Sequence, residues 1–176
     1  MKKQKGFTLI ELLICILIIG ILAGVAIPKY QTITAKSKLM QAFVLAKAVK
    51  DAEETYYTAH RQYTTDFDAL LVDVGEYQFT SNHPNISQSI LKSNNYKIQI
   101  VINGYGSDNN RVEIFLPSKQ NLFHGITYYF NHDSGKANHG RWCFAENDAF
   151  KKACISMGGV EKGQSGRPTC RAYQLP

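Results

Sequence analysis

One acidic residue lies inside an otherwise apolar segment near the start of this chain. Between Phe7 and Ile27 the only polar side chains are those of Thr8 and Glu11. An ionisable group at mid-bilayer depth costs roughly 2.5–3.5 kcal/mol, and less near the end of the segment, so its default interpretation is functional. The chemistry that a lone carboxylate offers here is electrostatic pairing. The sequence therefore predicts that Glu11 has a cationic partner.

The segment that carries Glu11 is long enough to cross a membrane. Its 21 residues, at about 1.5 Å of rise each, match a hydrocarbon core of about 30 Å. Lys2, Lys3 and Lys5 precede it, and this bias predicts that its start faces the cytoplasm and that the rest of the chain lies outside. The weaker alternative is an ordinary signal peptide cut near residues 23–26.

The residues from Lys5 to Leu12, read Lys-Gly-Phe-Thr-Leu-Ile-Glu-Leu, resemble the class III signal of type IV pilins and pseudopilins, nearest to the type IVa kind. The resemblance implies that a membrane prepilin peptidase removes residues 1–6 by cutting between Gly6 and Phe7. It also implies N-methylation of Phe7, and it gives Glu11 the acidic position of the family.

Cleavage at this point would supply the missing cation. A new α-amino group at Phe7 has an ordinary pKa of about 7.7–8.0 and is mostly charged at neutral pH. Two costly charges in lipid become tolerable as a pair. The family account places the pair between subunits, where the amine of an incoming subunit meets Glu11 of a subunit already in the filament and sets the axial register. The alternative is a contact within one chain, because residues 7 and 11 are one helical turn apart.

Three residues that weaken or bend helices occur at intervals of four in the apolar segment: Gly20, Gly24 and Pro28. Glycines at this spacing allow transmembrane helices to approach closely. Proline removes a backbone donor and bends or opens a helix, so a kink is expected near Pro28. Cys15 lies in the same segment, where burial in lipid would make it an inert apolar residue.

The pattern along the chain predicts an α+β fold in which a long N-terminal helix packs on an antiparallel sheet. The helix has an assembly half, 7–28, and an amphipathic half, 29–62, whose apolar residues are spaced by three and four. Its predicted buried face is formed by Ala42, Leu45, Val49, Ala52, Tyr56, Ala59 and Tyr63. An irregular connection is predicted over 63–95, with a short helical piece at 66–72 and a turn at 82–85.

The sheet is predicted over 96–145 from three runs in which apolar residues alternate. Turn-rich segments at 104–110 and 131–136 make antiparallel hairpins the simplest topology. The residues assigned to the buried face are Tyr96, Ile98, Ile100 and Ile102, then Val112, Ile114 and Leu116, then Ile126, Tyr128 and Phe130.

The C-terminal region, 146–176, is expected to carry a disulfide, because an ectodomain outside the cytoplasmic membrane is in an oxidising place. A predicted helix over 148–157 puts Cys154 opposite the strand of Cys143, which favours that pair. Cys143 with Cys170 is the alternative, because pilins that resemble this chain join the C-terminal segment to the sheet and Cys170 lies in a predicted last strand over 169–175. Either pairing leaves an odd thiol.

No catalytic, cofactor or metal site is predicted. The five histidines are scattered, and the oxygen ligands at 108–110 lack the bidentate glutamate of a calcium loop. The net charge of +6 falls to +3 when the three leader lysines are removed. Lys162, Arg167 and Arg171 are therefore interpreted as a solvated loop, with nucleic-acid binding as the less favoured alternative.

The resemblance implies a structural subunit of a type IV pilus, a fimbrial filament used for adhesion, twitching motility or DNA uptake. Its expected partners are copies of itself, other pilins, prepilin peptidase, the inner-membrane assembly platform and the membrane before assembly. The expected location is the inner membrane and then an extracellular pilus. The alternatives are a pseudopilin in a periplasmic pseudopilus of type II secretion, and a DNA-binding minor pilin of competence.

Overall fold

The computed structural model describes residues 6–74, 78–79, 87–92, 96–102, 110–117, 123–132, 140–165 and 167–176, with the backbone alone at 78–79, 87–92 and 167. One helix dominates it. Helix α1 runs from Leu9 to His60, 52 residues, which is about 78 Å of continuous helix. It ends at Arg61, where the backbone turns left-handed with φ of 59°. The predicted single long helix is confirmed.

The two halves of α1 lie in different surroundings. The most apolar 18-residue window has a mean hydropathy of 2.9 and none of it is buried within the chain. Burial begins at Ala35, where the helix meets the sheet. Helix α1 remains helical through Pro28, and the Thr32 hydroxyl donates to the Pro28 carbonyl at 3.1 Å. A bend at Pro28 stays a prediction.

The buried face of the amphipathic half differs from the predicted one. Ala59 is exposed, and Leu45, Ala52 and Tyr56 are half-buried. The buried positions keep spacings of three and four but form a neighbouring stripe that includes a carboxylate: Ala35, Leu39, Ala42, Ala46, Val49 and Glu53. Both stripes share Ala42 and Val49, so the prediction was wrong by a small rotation about the helix axis.

Within the described residues the sheet has eight antiparallel strands in the spatial order β1-β2-β3-β4-β5-β6-β8-β7. The strands are β1 Gln78–Phe79, β2 Ser87–Lys92, β3 Lys97–Ile102, β4 Arg111–Phe115, β5 Gly125–Tyr129, β6 Arg141–Ala145, β7 Val160–Ser165 and β8 Arg167–Leu175. An antiparallel sheet beneath a long N-terminal helix confirms the predicted α+β fold class.

The sheet extends beyond its predicted limits on both sides. Strands β1 and β2 lie in the segment predicted to be an irregular connection, and β7 lies beyond residue 145, where only the last strand, found as β8, was predicted. The predicted helical piece at 66–72 is only a 3₁₀ turn, Asp68–Leu70. The turn predicted at 82–85 lies outside the described residues.

The core lies between α1 and the sheet face that the alternation predicted. Side chains of β3, β4 and β5 at this face are buried, with Ile98, Ile100, Val112, Ile114 and Ile126 at most 1% exposed. Burying residues of this size stabilises the fold by about 1.5–3 kcal/mol each. Tyr96, Ile102 and Tyr128 are partly buried at the margin of the same cluster.

A second helix, α2 Asp148–Ser156, closes the end of the core. Asn147 caps it by accepting a hydrogen bond from the Phe150 backbone at 2.9 Å. Cys154 on α2 forms a disulfide with Cys143 on β6, with 5.9 Å between the Cα atoms. The favoured pairing is therefore the one in the structure.

The alternative pairing is excluded by strand register. Cys143 lies opposite Tyr173 on β8, so Cys170 is three residues further along and points to the other face of the sheet. Cys170 is buried there, and its sulfur lies 4.0 Å from the Phe123 carbonyl oxygen.

We expect the double substitution Cys143→Ser and Cys154→Ser to lower the free energy of unfolding by about 3 kcal/mol, because the disulfide no longer restricts the unfolded chain. For a chain of this size the melting temperature should fall by roughly 6–12 °C. Thermal unfolding followed by circular dichroism checks this. Cys15→Ser, at an exposed position, is the control, and a double variant that melts with the wild type would contradict the prediction.

Candidate processing and assembly site

Gly6 and Phe7 precede the long helix and are exposed, with an extended Thr8 between them and the first turn. Thr8 is the N-cap of α1, with φ of −83° and ψ of 151°. The Gly6–Phe7 peptide bond is thus outside the helix and open to solvent. A bond in this position can enter a protease without unwinding of helical hydrogen bonds.

Glu11 closes a reciprocal cap with Thr8. Its Oε2 atom accepts from the Thr8 backbone N–H at 2.9 Å and from the Thr8 hydroxyl at 2.7 Å. The Glu11 backbone N–H donates to Thr8 Oγ1 at 3.3 Å. This is a capping box, which satisfies backbone donors at the helix start.

In the uncut chain, the Glu11 carboxylate therefore accepts hydrogen bonds from two neutral groups of Thr8, the backbone N–H and the hydroxyl. Both groups donate to the same oxygen, Oε2. Sequence reasoning missed this contact, although Thr8 three residues before Glu11 is the spacing of a capping box. Neutral donors do not balance the charge. The ion pair with the Phe7 amine, within the chain or between subunits, stays a prediction.

The helix surface beyond this cap is apolar and open. Its side chains include Leu9 at 88% exposure and Leu22 at 63%. A Cβ atom added at Gly20 or Gly24 would meet nothing within 4 Å. Packing within the chain does not require these glycines to be small, so any role they have in close approach involves another molecule.

This N-terminal segment also matches known proteins. The family model "Prokaryotic N-terminal methylation motif" matches residues 1–27. The match covers the three lysines before Gly6, then Phe7, Glu11 and the apolar part of the helix. The N-terminal segment of this chain therefore carries the prokaryotic N-terminal methylation motif. The long helix on an antiparallel sheet is consistent with the type IV pilin fold.

Curated relatives of this segment include a "Fimbrial protein" of Neisseria meningitidis serogroup A, 49% identical over 63 residues, 36% of this chain and 37% of that protein. "Type IV major pilin protein PilE1" of Neisseria gonorrhoeae is 54% identical over 57 residues, 32% of this chain and 34% of the relative. A "Fimbrial protein" of Pseudomonas aeruginosa is 54% identical over 55 residues, 31% of this chain and 36% of that protein. The chain matches little more than a third of the length of each of these relatives.

Sequence reasoning missed a polar cluster around Glu146 and His124, just before the start of α2. Glu146 accepts from the Phe123 backbone at 2.6 Å and from the Thr169 hydroxyl at 3.1 Å. His124 is 2% exposed, and its Nδ1 accepts from the Glu146 backbone at 3.2 Å. Burial lowers the pKa of His124, the carboxylate of Glu146 acting in the opposite direction. The neutral ring, stacked on Phe150 with 4.1 Å between centroids, acts as a packing residue.

The other candidate residues do not form a site in the part of the chain that is described. No group of three or more histidine, cysteine or acidic residues there could hold a metal ion. Asp108, Asn109, His83 and His139 lie outside that part. Of the basic residues near the C-terminus, Lys162 is exposed, and Arg171 pairs with Glu161 at 3.6 Å.

Proposed function

We propose that this chain is the structural subunit of a type IV pilus. The observation that carries the proposal is the apolar surface at the start of α1, which no other described residue buries over an 18-residue window and which has a single carboxylate at its start. Such a surface is stable in a bilayer or against other copies of the same helix. A subunit stored in the membrane and then polymerised uses both environments.

The polymer follows from the geometry of an unclosed contact. If the Phe7 amine of one subunit meets Glu11 of the next, two different surfaces join, and repetition of such a contact generates a helical filament when the rotation does not close. The exposed face of α1 beyond the membrane segment extends the contact. It presents Tyr30, Ile33, Met40 and Val44, which are 44–71% exposed.

Prepilin peptidase and an inner-membrane assembly platform are the partners that this function requires. The peptidase would cut at Gly6–Phe7 and methylate the Phe7 amine. The platform would draw the subunit from the inner membrane into an extracellular filament, for adhesion, twitching motility or DNA uptake. The exposed position of Gly6 and Phe7 before the first turn of the helix supports the first of these steps.

The names of the relatives, fimbrial protein and type IV major pilin, favour this function over the alternatives of a pseudopilin and a DNA-binding competence pilin. A pseudopilus of type II secretion would use the same helix contacts. Deleting this chain's gene and imaging the cell surface distinguishes them. Loss of long surface filaments is the expected result. Intact filaments together with failed protein secretion would instead identify the chain as a pseudopilin.

We expect Gly6→Val to block processing, because the resemblance makes Gly6 the last leader residue and a branched side chain would occupy the position before the cut bond. The intact mass of the membrane-extracted chain should retain residues 1–6 and no added methyl group. Gly20→Ala is the matched control, because a Cβ there meets nothing, and it should be cut normally. Normal processing of Gly6→Val would contradict the assignment of the cut.

A further inference from the structure

The charged side chains that directly follow the membrane segment on α1 are all positive as far as Asp51. Between Glu11 and Asp51 the sequence contains no acidic residue and five lysines, at positions 29, 36, 38, 47 and 50. Lys29 comes directly after Pro28. From Leu9, the first helical residue, to Lys29 the helix rises about 30 Å, so Lys29 lies at the headgroup level of a bilayer whose core is about 30 Å thick.

A cleft at this level combines positive charge with an apolar wall. Its volume is about 530 Å³, and its lining consists of Val25, Pro28, Lys29, Thr32, Ile33 and Lys152. Lys152 comes from α2, far along the sequence. Helix α2 is held against α1 by the hydrogen bond from Lys36 Nζ to the Ser156 carbonyl at 3.1 Å and is fixed to β6 by the Cys143–Cys154 disulfide.

Some lysines of α1 and α2 bind other residues, and in the described part of the chain the side chains of the two lysines of this cleft do not. Lys151 pairs with Asp148 at 3.9 Å, and Lys50 donates to Asn131 Oδ1 at 2.8 Å. Within the part of the chain that the structure describes, Lys29 and Lys152 make no hydrogen bond or ion pair, and both are exposed. Two unbalanced ammonium groups at the end of a membrane helix form a complementary surface for a phosphate.

We propose that this cleft holds the headgroup of an anionic phospholipid in the leaflet at the C-terminal end of the membrane segment. Lys29 and Lys152 contact the phosphate from two sides, and an acyl chain runs along the helix surface at Val25. The inference rests on the membrane-stored stage of the proposed function. It gives the globular domain a defined orientation, with α2 against the membrane surface, before the subunit enters a filament.

Lipid selectivity in vesicles tests this proposal on the full chain. The chain is reconstituted in phosphatidylcholine vesicles that contain a trace of spin-labelled phosphatidylglycerol or spin-labelled phosphatidylcholine, and electron paramagnetic resonance measures the fraction of each label held at the protein. A lysine near an anionic lipid contributes about fivefold in association. The wild type should select phosphatidylglycerol, and Lys29→Gln with Lys152→Gln should reduce the selectivity by about fivefold or more.

The matched control is Lys47→Gln with Lys162→Gln, which removes the same charge at two exposed positions and should leave the selectivity unchanged. Leader lysines are common to all three proteins and cancel in the comparison. Equal selectivity in the cleft variant and the wild type would overturn the proposal, as would an equal loss in the control. Displacement of the lipid by inorganic phosphate at constant ionic strength would reassign the site to a free anion. Since no filament is required, failure here leaves the pilus subunit function standing.

Discussion

Glu11→Gln should leave the subunit cut at Gly6 and inserted in the membrane but should almost abolish filaments. The variant keeps the shape of the side chain and loses its charge, so the Phe7 amine is left unpaired in an apolar contact. Removing one member of a buried ion pair costs on the order of 3–5 kcal/mol, which is at least about 100-fold in association at each interface. Sheared surface protein and intact mass of the membrane pool measure the two effects separately.

Co-expression of the variant with the wild type distinguishes the two partners that the Phe7 amine could have. In the intersubunit arrangement, a Glu11→Gln subunit can add its own amine to a wild-type Glu11 but cannot receive the next subunit, so it terminates growth and filaments shorten. In the intrachain arrangement, the Glu11→Gln subunit does not enter the filament at all, so the filaments built by the wild-type subunits keep their length. Asp51→Asn, an exposed acid of the same helix that pairs with Lys47, is the control. Normal filament yield from Glu11→Gln alone would contradict the ion pair.

The second large effect concerns Glu53, the carboxylate buried between α1 and the connection that follows it. Its side chain is fully buried. Oε2 accepts from the Thr64 backbone at 3.2 Å, whereas Oε1 has no hydrogen-bond partner within the described residues. Burial raises the pKa of Glu53 to about 8, the neighbouring charge of Glu54 adding to the effect and the Thr64 contact opposing it.

Because its pKa is higher in the folded chain, Glu53 makes the protein less stable as the pH rises. Between the ordinary value of 4.5 and about 8, the folded state holds a proton that the unfolded state has lost. The free energy of unfolding therefore falls by up to about 1.4 kcal/mol per pH unit across this window. The stabilisation is fully present below pH 4.5 and is lost above pH 8.

Glu53→Gln should remove this dependence and should be more stable than the wild type at pH 8 by a few kcal/mol, because the amide keeps the acceptor for Thr64 and carries no charge. Thermal unfolding at several values between pH 5 and 8.5 checks the slope. Glu161→Gln, at an exposed carboxylate, controls for the loss of one charge, and the difference between variants removes the contribution of the histidines. A variant that keeps the wild-type slope would refute the role of Glu53.

The large features of this fold could be predicted because each rests on a pattern within the sequence. The apolar segment before Pro28 is a continuous run of apolar residues, and β3, β4 and β5 each place alternate apolar residues on one buried face. The sequence pattern alone identifies both features. The disulfide was predicted from the placement of α2 opposite β6. The helix was predicted to begin at Phe7 and begins at Leu9, and the Thr8 N-cap that sets this start was not recognised in the sequence.

The remainder depends on contacts that periodicity does not encode. Glu53 lies one helical turn after Val49, on the buried face of α1. A glutamate in a sequence is expected to face solvent, so its burial is visible only in the packed structure. Strand β7, Val-Glu-Lys-Gly-Gln-Ser, has no apolar alternation and exists because β8 offers it hydrogen bonds. Gly163 at φ of 128° lies at an irregularity of that pairing, a position that glycine accepts without strain.

The most direct test of the central claim is the N-terminal residue of the chain within purified surface filaments. Filaments sheared from cells are digested, and mass spectrometry identifies the first peptide. The account predicts that this chain is the abundant protein and that its first peptide begins at Phe7 with one methyl group on the amine. A first peptide that begins at Met1, or at a residue within 23–28, or filaments that lack this chain, would contradict it.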